Sequence, residues 1–96
     1  MTARDLESFM LAQCAKVAQG KAHVAQNQRE ANVFRVASMV MSPRMPTQAV
    51  LLRHTSEDYF STHPGEQLPA AEVVRRGWVV SMPRLRDMLS LTLSSP

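Results

Sequence analysis

The sequence predicts a mainly α-helical protein, and three observations support this fold class. Residues 2–42 contain no proline and a single glycine, and their apolar residues recur at three-, four- or seven-residue intervals, the spacing of one helix face. The same kind of spacing returns over 70–92. Only two short stretches, 48–53 and 77–82, also suit a β-strand. We therefore expect at least three helices in a single small domain.

The first helical segment covers about 3–41. Thr2 followed by Asp5 resembles the cap that starts a helix. The stretch between residues 20 and 30 is weak, because it contains Gly20 and offers only Val24 as a large apolar residue. The pattern therefore predicts either one very long helix over 3–41 or two helices broken between 20 and 30.

The length of this segment indicates whether the chain forms a dimer. An unbroken helix over 3–41 would be about 58 Å long at 1.5 Å per residue, whereas a compact domain of this size has a radius of gyration of only about 12–13 Å. Half of such a helix would extend beyond its own domain and need a second chain, so we expect a homodimer or, alternatively, a helix hairpin. Methionines, which suit adaptable interfaces, cluster near its end. The predicted interface residues are Met10, Val17, Val24, Phe34, Met39, Met41 and Met45.

A linker separates the first helical segment from the C-terminal part of the chain. Two prolines within 42–46 predict this linker, because proline disfavours helix at its own position and just before it. A C-terminal helical part follows over 47–93. Thr47 and Ser56 each suit a helix N-cap, and 47–54 is compatible with either a helix or a strand.

Two short helices are predicted towards the C-terminus. His63–Gly65 has the composition of a turn. Pro69 suits the start of a helix from Ala70 to about Val80, which Gly77 weakens. Ser81 then suits the start of the last helix.

Composition excludes several classes of protein. The 96 residues include 11 basic and 8 acidic side chains, which give a modest formal net charge of +3. No apolar run approaches the length of a membrane span, and the N-terminus lacks the apolar core of a secretion signal. Cys14 is the single cysteine, which excludes an internal disulfide framework and favours a reducing cytoplasm. Frequent Arg, Ala and Val with little Lys is typical of a GC-rich bacterial genome. We therefore expect a small soluble protein of the bacterial cytoplasm.

No pattern in the sequence indicates catalysis. A Gly-rich phosphate loop and a recognisable nucleophile motif are both missing. His54 and His63 flank two carboxylates, but polar residues around a turn are the simpler interpretation than a metal cluster. Cys14 has apolar helical neighbours, which predicts a buried, inert thiol without a redox role. We therefore expect no enzyme activity, cofactor, bound metal or small-molecule substrate.

The segment from Trp78 to Leu89 is the strongest local signal. Five of its residues have the types and spacing of a turn followed by an amphipathic helix: Val80, Ser81, Pro83, Leu85 and Met88. The segment thereby resembles the turn and recognition helix of the helix-turn-helix family. That resemblance implies that Arg84 and Arg86 contact DNA. A capped amphipathic helix with two solvated arginines is the alternative interpretation.

Three functional hypotheses follow, of which a small enzyme is disfavoured because no catalytic pattern is visible. The first is a non-enzymatic regulatory protein that binds another protein, as an antagonist of the anti-activator type or as an adaptor, and that forms a homodimer. The alternative is a helix-turn-helix-like transcriptional regulator that binds DNA through 70–90. We prefer the first, because Val79 stands where the turn of the motif usually has glycine and because the net charge is small. Four arginines would contact an acidic partner or DNA: Arg75, Arg76, Arg84 and Arg86.

Overall fold

The computed structural model describes residues 2–21 and 23–94, and this part of the chain forms five α-helices. They are α1 (Ala3–Ala18), α2 (Gln28–Met41), α3 (Pro46–Thr62), α4 (Ala70–Arg75) and α5 (Met82–Ser94). The described residues contain no β-strand, and the expected all-α class is confirmed. The two stretches that also suited a strand do not form one, because 48–53 lies inside α3 and 77–81 forms a turn before α5.

The first helical segment is two helices rather than one. α1 begins at a capping box: Thr2 Oγ1 accepts a hydrogen bond from the Asp5 backbone N–H at 3.1 Å, and Asp5 accepts one from the Thr2 N–H at 3.2 Å. Just after α1, Gly20 adopts a φ of +82°, which L side chains rarely take. Asn27 caps α2 by accepting a backbone hydrogen bond at 2.9 Å. The continuous helix over 3–41 is therefore wrong, and the broken alternative describes the chain.

α3 is longer than the sequence indicates. It begins at Pro46, where proline's missing N–H leaves no helical hydrogen bond unmade. The linker therefore ends at Met45, and Thr47 is already helical. Ser56, expected to start a new element, is buried within α3 and donates from Oγ to the Arg53 carbonyl at 2.7 Å. This local hydrogen bond satisfies the hydroxyl without ending the helix.

α4 is shorter than expected. It ends at Arg75, well before the predicted end near Val80, and Gly77 then takes a φ of +76°, outside the helical region. The turn continues to Ser81, whose Oγ accepts a hydrogen bond from the Arg84 backbone N–H at 3.1 Å. This contact caps the start of α5, in agreement with the sequence.

α2 lies at the centre of the fold and contacts each of the other four helices. Six of its apolar residues have no solvent exposure: Ala31, Val33, Phe34, Val36, Ala37 and Met41. The described chain measures 37 × 27 × 23 Å, so no helix extends far beyond the core, and the length argument for a second chain no longer applies. Within this part of the chain, no helix is both long and apolar enough to cross a membrane.

The loop between α3 and α4 is fastened to α2 through its own backbone. Asn32, fully buried, donates from Nδ2 to the Glu66 carbonyl at 3.1 Å and accepts from the Leu68 N–H at 2.9 Å. Gln28 Nε2 also donates to the Glu66 carbonyl, at 3.0 Å, and the Arg35 guanidinium donates to the Leu68 carbonyl. Because the loop contributes main-chain atoms to these contacts, side chains of α2 set its path.

The loop between α1 and α2 is fastened by a buried carboxylate. Glu30 is 2% exposed; it accepts a hydrogen bond from the Gln26 backbone N–H at 3.2 Å, and its Oε1 lies 2.5 Å from His23 Nε2. The His23 ring meets Phe34 edge-on, with centroids 5.5 Å apart. A buried carboxylate needs such partners, so this group holds the loop against the core.

Candidate interaction surface

The apolar face predicted as a dimer interface is used inside the chain. Four of its seven residues are buried in the core: Met10, Val17, Phe34 and Met41. Of the others, Val24 is 71% exposed, Met39 is 48% exposed and Met45 is half-buried. Because the break after α1 lets α1 and α2 pack against each other within one chain, this apolar face needs no second chain to cover it. Val24, Met39 and Met45 are the predicted interface residues that a second chain could reach.

The arginines of α4 share one carboxylate. Arg75 contacts Glu72 through Nε at 2.8 Å and Nη2 at 2.5 Å, and Arg76 Nε donates to the same carboxylate at 2.9 Å. These hydrogen bonds, with those of Arg75 the larger influence, lower the pKa of Glu72 from 4.5 to about 2. Glu72 therefore stays ionised at neutral pH and offsets part of the charge of the two arginines.

The arginines of α5 are also engaged in ion pairs. Arg84 crosses to α1, where its Nε and Nη2 each lie 2.9 Å from an oxygen of Glu7. This bidentate geometry is among the stronger kinds of hydrogen-bonded pair, and the hydrogen bond lowers the pKa of Glu7. Arg86 pairs with its neighbour Asp87 at 3.1 Å. The two arginines that the helix-turn-helix resemblance directs towards DNA are thus both held by carboxylates of this chain.

A narrow apolar cleft lies beside the Arg84 ion pair, where α1, α5 and the turn before α5 meet. Leu11, Val80 and Met88 line it, together with the buried Val33 of α2. Its free volume is about 20 Å³, enough for about one water molecule. Val80 is 57% exposed. A cleft of this size suits the tip of an apolar side chain.

Trp78 also lines the cleft and carries two arginines near its ring. The guanidinium carbon lies 5.2 Å from the ring centroid for Arg76 and 5.8 Å for Arg29, both within cation–π range. Arg29 forms no ion pair within the residues that the structure describes. Trp78 itself is half-buried. The ring therefore joins the apolar cleft to a group of positive charges.

These groups form one continuous surface, which we call the Trp78 face: Leu11, Arg29, Arg76, Trp78, Val80, Arg84 and Met88. Arg4 adjoins it and, with Glu7 and Val80, lines an open depression. Four arginines, including Arg4, face two carboxylates, Glu7 and Glu72, so the charge balance is positive. Tryptophan and arginine are enriched where protein interfaces concentrate their binding energy.

The nucleophilic and metal-binding side chains do not assemble into a site in the described part of the chain. Cys14 is fully buried, and burial first, then the charge of Glu30, raises the pKa of its thiol to about 12. His63 stacks on Tyr59 with centroids 4.0 Å apart. Among the described residues, no three His, Cys, Asp or Glu side chains are grouped to hold a metal ion. The expected absence of enzyme activity and of cofactors stays a prediction.

Two members of the Trp78 face were not foreseen from the sequence. Leu11 directly follows Met10, and two adjacent apolar residues indicate a helix face wider than one stripe, so a signal for Leu11 existed. Arg29 lies in the weakly patterned stretch between residues 20 and 30 and becomes part of the first turn of α2, and its partner Trp78 is far along the chain. No local pattern could have joined Arg29 to Trp78.

Comparison with protein-family models, curated proteins and solved structures finds no match for this chain. The Trp78 face and its ion pairs are therefore the features of the molecule that bear on function. This surface combines an apolar cleft, an aromatic ring and a positive rim, a combination that is common at protein interfaces.

Proposed function

We propose that the chain is a non-enzymatic interaction protein that binds another protein through the Trp78 face, as an antagonist of the anti-activator type or as an adaptor. The observation that carries the proposal is the position of Trp78, which lines an apolar cleft and contacts two guanidinium groups. At protein interfaces such aromatic and arginine residues dominate the binding energy once a partner excludes water from them.

Val80 is the exposed aliphatic residue of this surface. With 57% of its surface exposed, it gains about 1 kcal/mol when a partner covers it. The adjoining cleft holds about one water molecule, which disfavours a small-molecule substrate and suits an apolar side chain of a partner. The residues that would carry the interaction are therefore Trp78 with Val80, Leu11 and Met88 beside them.

The proposal is tested by affinity capture from the native cell with two matched variants. Val80→Glu places a charge on the Trp78 face, whereas Phe9→Glu makes a matching change at an apolar residue of α1 that is 44% exposed and belongs neither to the Trp78 face nor to the predicted dimer interface. We expect a partner identified by mass spectrometry to be retained by the wild-type chain and by Phe9→Glu and lost from Val80→Glu. Circular dichroism checks that both variants fold. Equal retention by the two variants would contradict the proposal.

The alternative function is DNA binding by a helix-turn-helix-like regulator that uses residues 70–90. The ion pair between Arg84 and Glu7 disfavours it, because it engages the arginine expected at the base edges. α4, the first helix of the motif, has only six residues. Sequence-selective binding to duplex DNA that survives about 150 mM salt, and that an Arg84→Ala/Arg86→Ala double variant abolishes, would reverse the ranking.

A further inference from the structure

We infer that the segment bound by the Trp78 face is an acidic peptide that carries an exposed aliphatic or aromatic side chain. This inference rests on the proposed function and adds the chemistry of the partner. Three features of the surface support it: an arginine without a carboxylate, a carboxylate shared by two arginines, and an apolar cleft next to both.

Arg29 is the guanidinium most available to a partner. It forms no ion pair within the described residues, lies 5.8 Å from the Trp78 ring, and borders an open depression with Asn27 and Gln28. Guanidinium groups can contact an aromatic face and still donate paired hydrogen bonds to a carboxylate. A carboxylate bound to Arg29 would therefore lie next to Trp78.

The other arginines leave the surface positive as well. Arg76 shares the single carboxylate of Glu72 with Arg75, so two positive charges face one negative charge. Arg4 is exposed beside Glu7, whose two oxygens Arg84 already contacts. A partner with carboxylates gains charge-assisted hydrogen bonds here, whereas a basic partner is repelled.

The cleft requires the ligand to carry an apolar side chain as well as carboxylates. It is lined by Leu11, Val80 and Met88, and Val80 is largely exposed. A ligand with charge alone would leave this apolar surface in contact with water. The favoured ligand therefore places an apolar side chain near its carboxylates. This requirement separates an acidic peptide from a nucleic acid, whose phosphates would satisfy the arginines without covering the cleft.

The test selects ligands for the full-length chain from a displayed library of random linear peptides at physiological salt. We expect the selected peptides to be rich in Asp and Glu and to carry Leu, Ile, Met or Phe. Their affinity should fall about tenfold in an Arg29→Gln/Arg76→Gln double variant, because charge-assisted hydrogen bonds are lost. An Arg44→Gln/Arg53→Gln double variant makes the same charge change away from the Trp78 face and should bind as the wild type does.

A second pair of variants tests the cleft without adding charge. Val80→Ser should weaken the binding of the selected peptides, whereas Phe9→Ser, at an exposed residue of α1 outside the Trp78 face, should not. Neutral or basic peptides that need Val80 but ignore the arginine variants would overturn the inference while leaving the proposed function intact. Failure to select any peptide that depends on Val80 would also overturn it, and the capture experiment then decides the proposed function separately. Displacement of the peptides by duplex DNA at physiological salt would overturn it in favour of a nucleic acid.

Discussion

Arg84 contacts both carboxylate oxygens of Glu7, a residue 77 positions earlier in the chain, at 2.9 Å each. The pair joins the N-terminal halves of α5 and α1, and both residues line the apolar cleft. The fold therefore places this arginine at the rim of the apolar cleft, where its charge adds to the positive balance of the surface and its orientation is fixed by α1.

We expect Glu7→Gln and Arg84→Gln to have coupled effects on stability at neutral pH and a weaker coupling in acid. The Arg84 hydrogen bond lowers the pKa of Glu7 below its ordinary 4.5. The pair therefore stabilises the fold fully above that value, and this contribution is lost as the pH falls through the lowered pKa. A double-mutant cycle of urea unfolding at about pH 7 and about pH 3 measures the coupling free energy between Glu7 and Arg84. A cycle of Glu7→Gln with the distant Arg53→Gln should show no coupling. Equal Glu7–Arg84 coupling at both pH values would contradict the prediction.

Asn32→Ala should destabilise the chain more than Gln28→Ala does. The first change leaves the Leu68 N–H without its acceptor and removes a donor from the Glu66 carbonyl, at a cost of about 2–3 kcal/mol. The second removes one hydrogen bond to the same carbonyl and costs about 1 kcal/mol or less. Urea unfolding of the two variants gives the comparison. Equal losses would show that the buried amide does not hold the loop.

Cys14 should resist alkylation in the folded chain. Its thiol is completely buried, so a reagent cannot reach it. Its pKa is raised to about 12, so the reactive thiolate does not form at about pH 8. Iodoacetamide followed by mass spectrometry should modify the chain in guanidinium chloride and leave it unmodified in buffer. Cys14→Ser should destabilise by about 1–3 kcal/mol through a buried hydroxyl and retain function once folded. Rapid alkylation of the native protein would contradict the prediction that the Cys14 thiol is buried and unreactive.

Self-association stays a prediction, and the structure narrows its interface to Val24, Met39 and Met45. Light scattering at micromolar concentration should give twice the 10.7 kDa of one chain. Met39→Glu should dissociate the dimer, because it places a charge in an apolar contact, whereas Ser42→Glu is the nearby exposed control. A mass of 10.7 kDa for the wild type would contradict the dimer. Phe34→Asp should instead unfold the chain, since Phe34 has no solvent exposure.

The helical spacing of apolar residues predicts the helical character of α1, α2 and α5, although α2 is buried around most of its circumference and not along one face. The bounds of α3 were harder to predict. Ser56 has the character of an N-cap, yet in α3 its hydroxyl bonds a carbonyl of the same helix. Gly77 was recognised as weakening α4, but its φ of +76° ends the helix altogether. Capping residues mark where a helix can begin or end, and tertiary packing decides whether it does.

The candidate site was less accessible from the sequence than the fold. Trp78 and Arg84 stood out within their own segment, where residue types and spacing are informative. Their partners Arg29 and Glu7 belong to other helices, and no periodic pattern relates residues so far apart. Ion pairs and cation–π contacts between distant segments arise from helix packing, which single-sequence patterns do not contain.

The backbone hydrogen bonds that hold the loop between α3 and α4 should slow the unfolding of the chain. Asn32 reaches 34 and 36 residues along the chain to Glu66 and Leu68. Contacts of such long separation form only after the intervening helix has packed, because closing the chain earlier has a large entropic penalty. Docking of the loop should therefore be a late step of folding. Asn32→Ala should accelerate unfolding in stopped-flow experiments and leave the folding rate nearly unchanged. The docked loop would then contribute mainly to the kinetic stability of the folded chain.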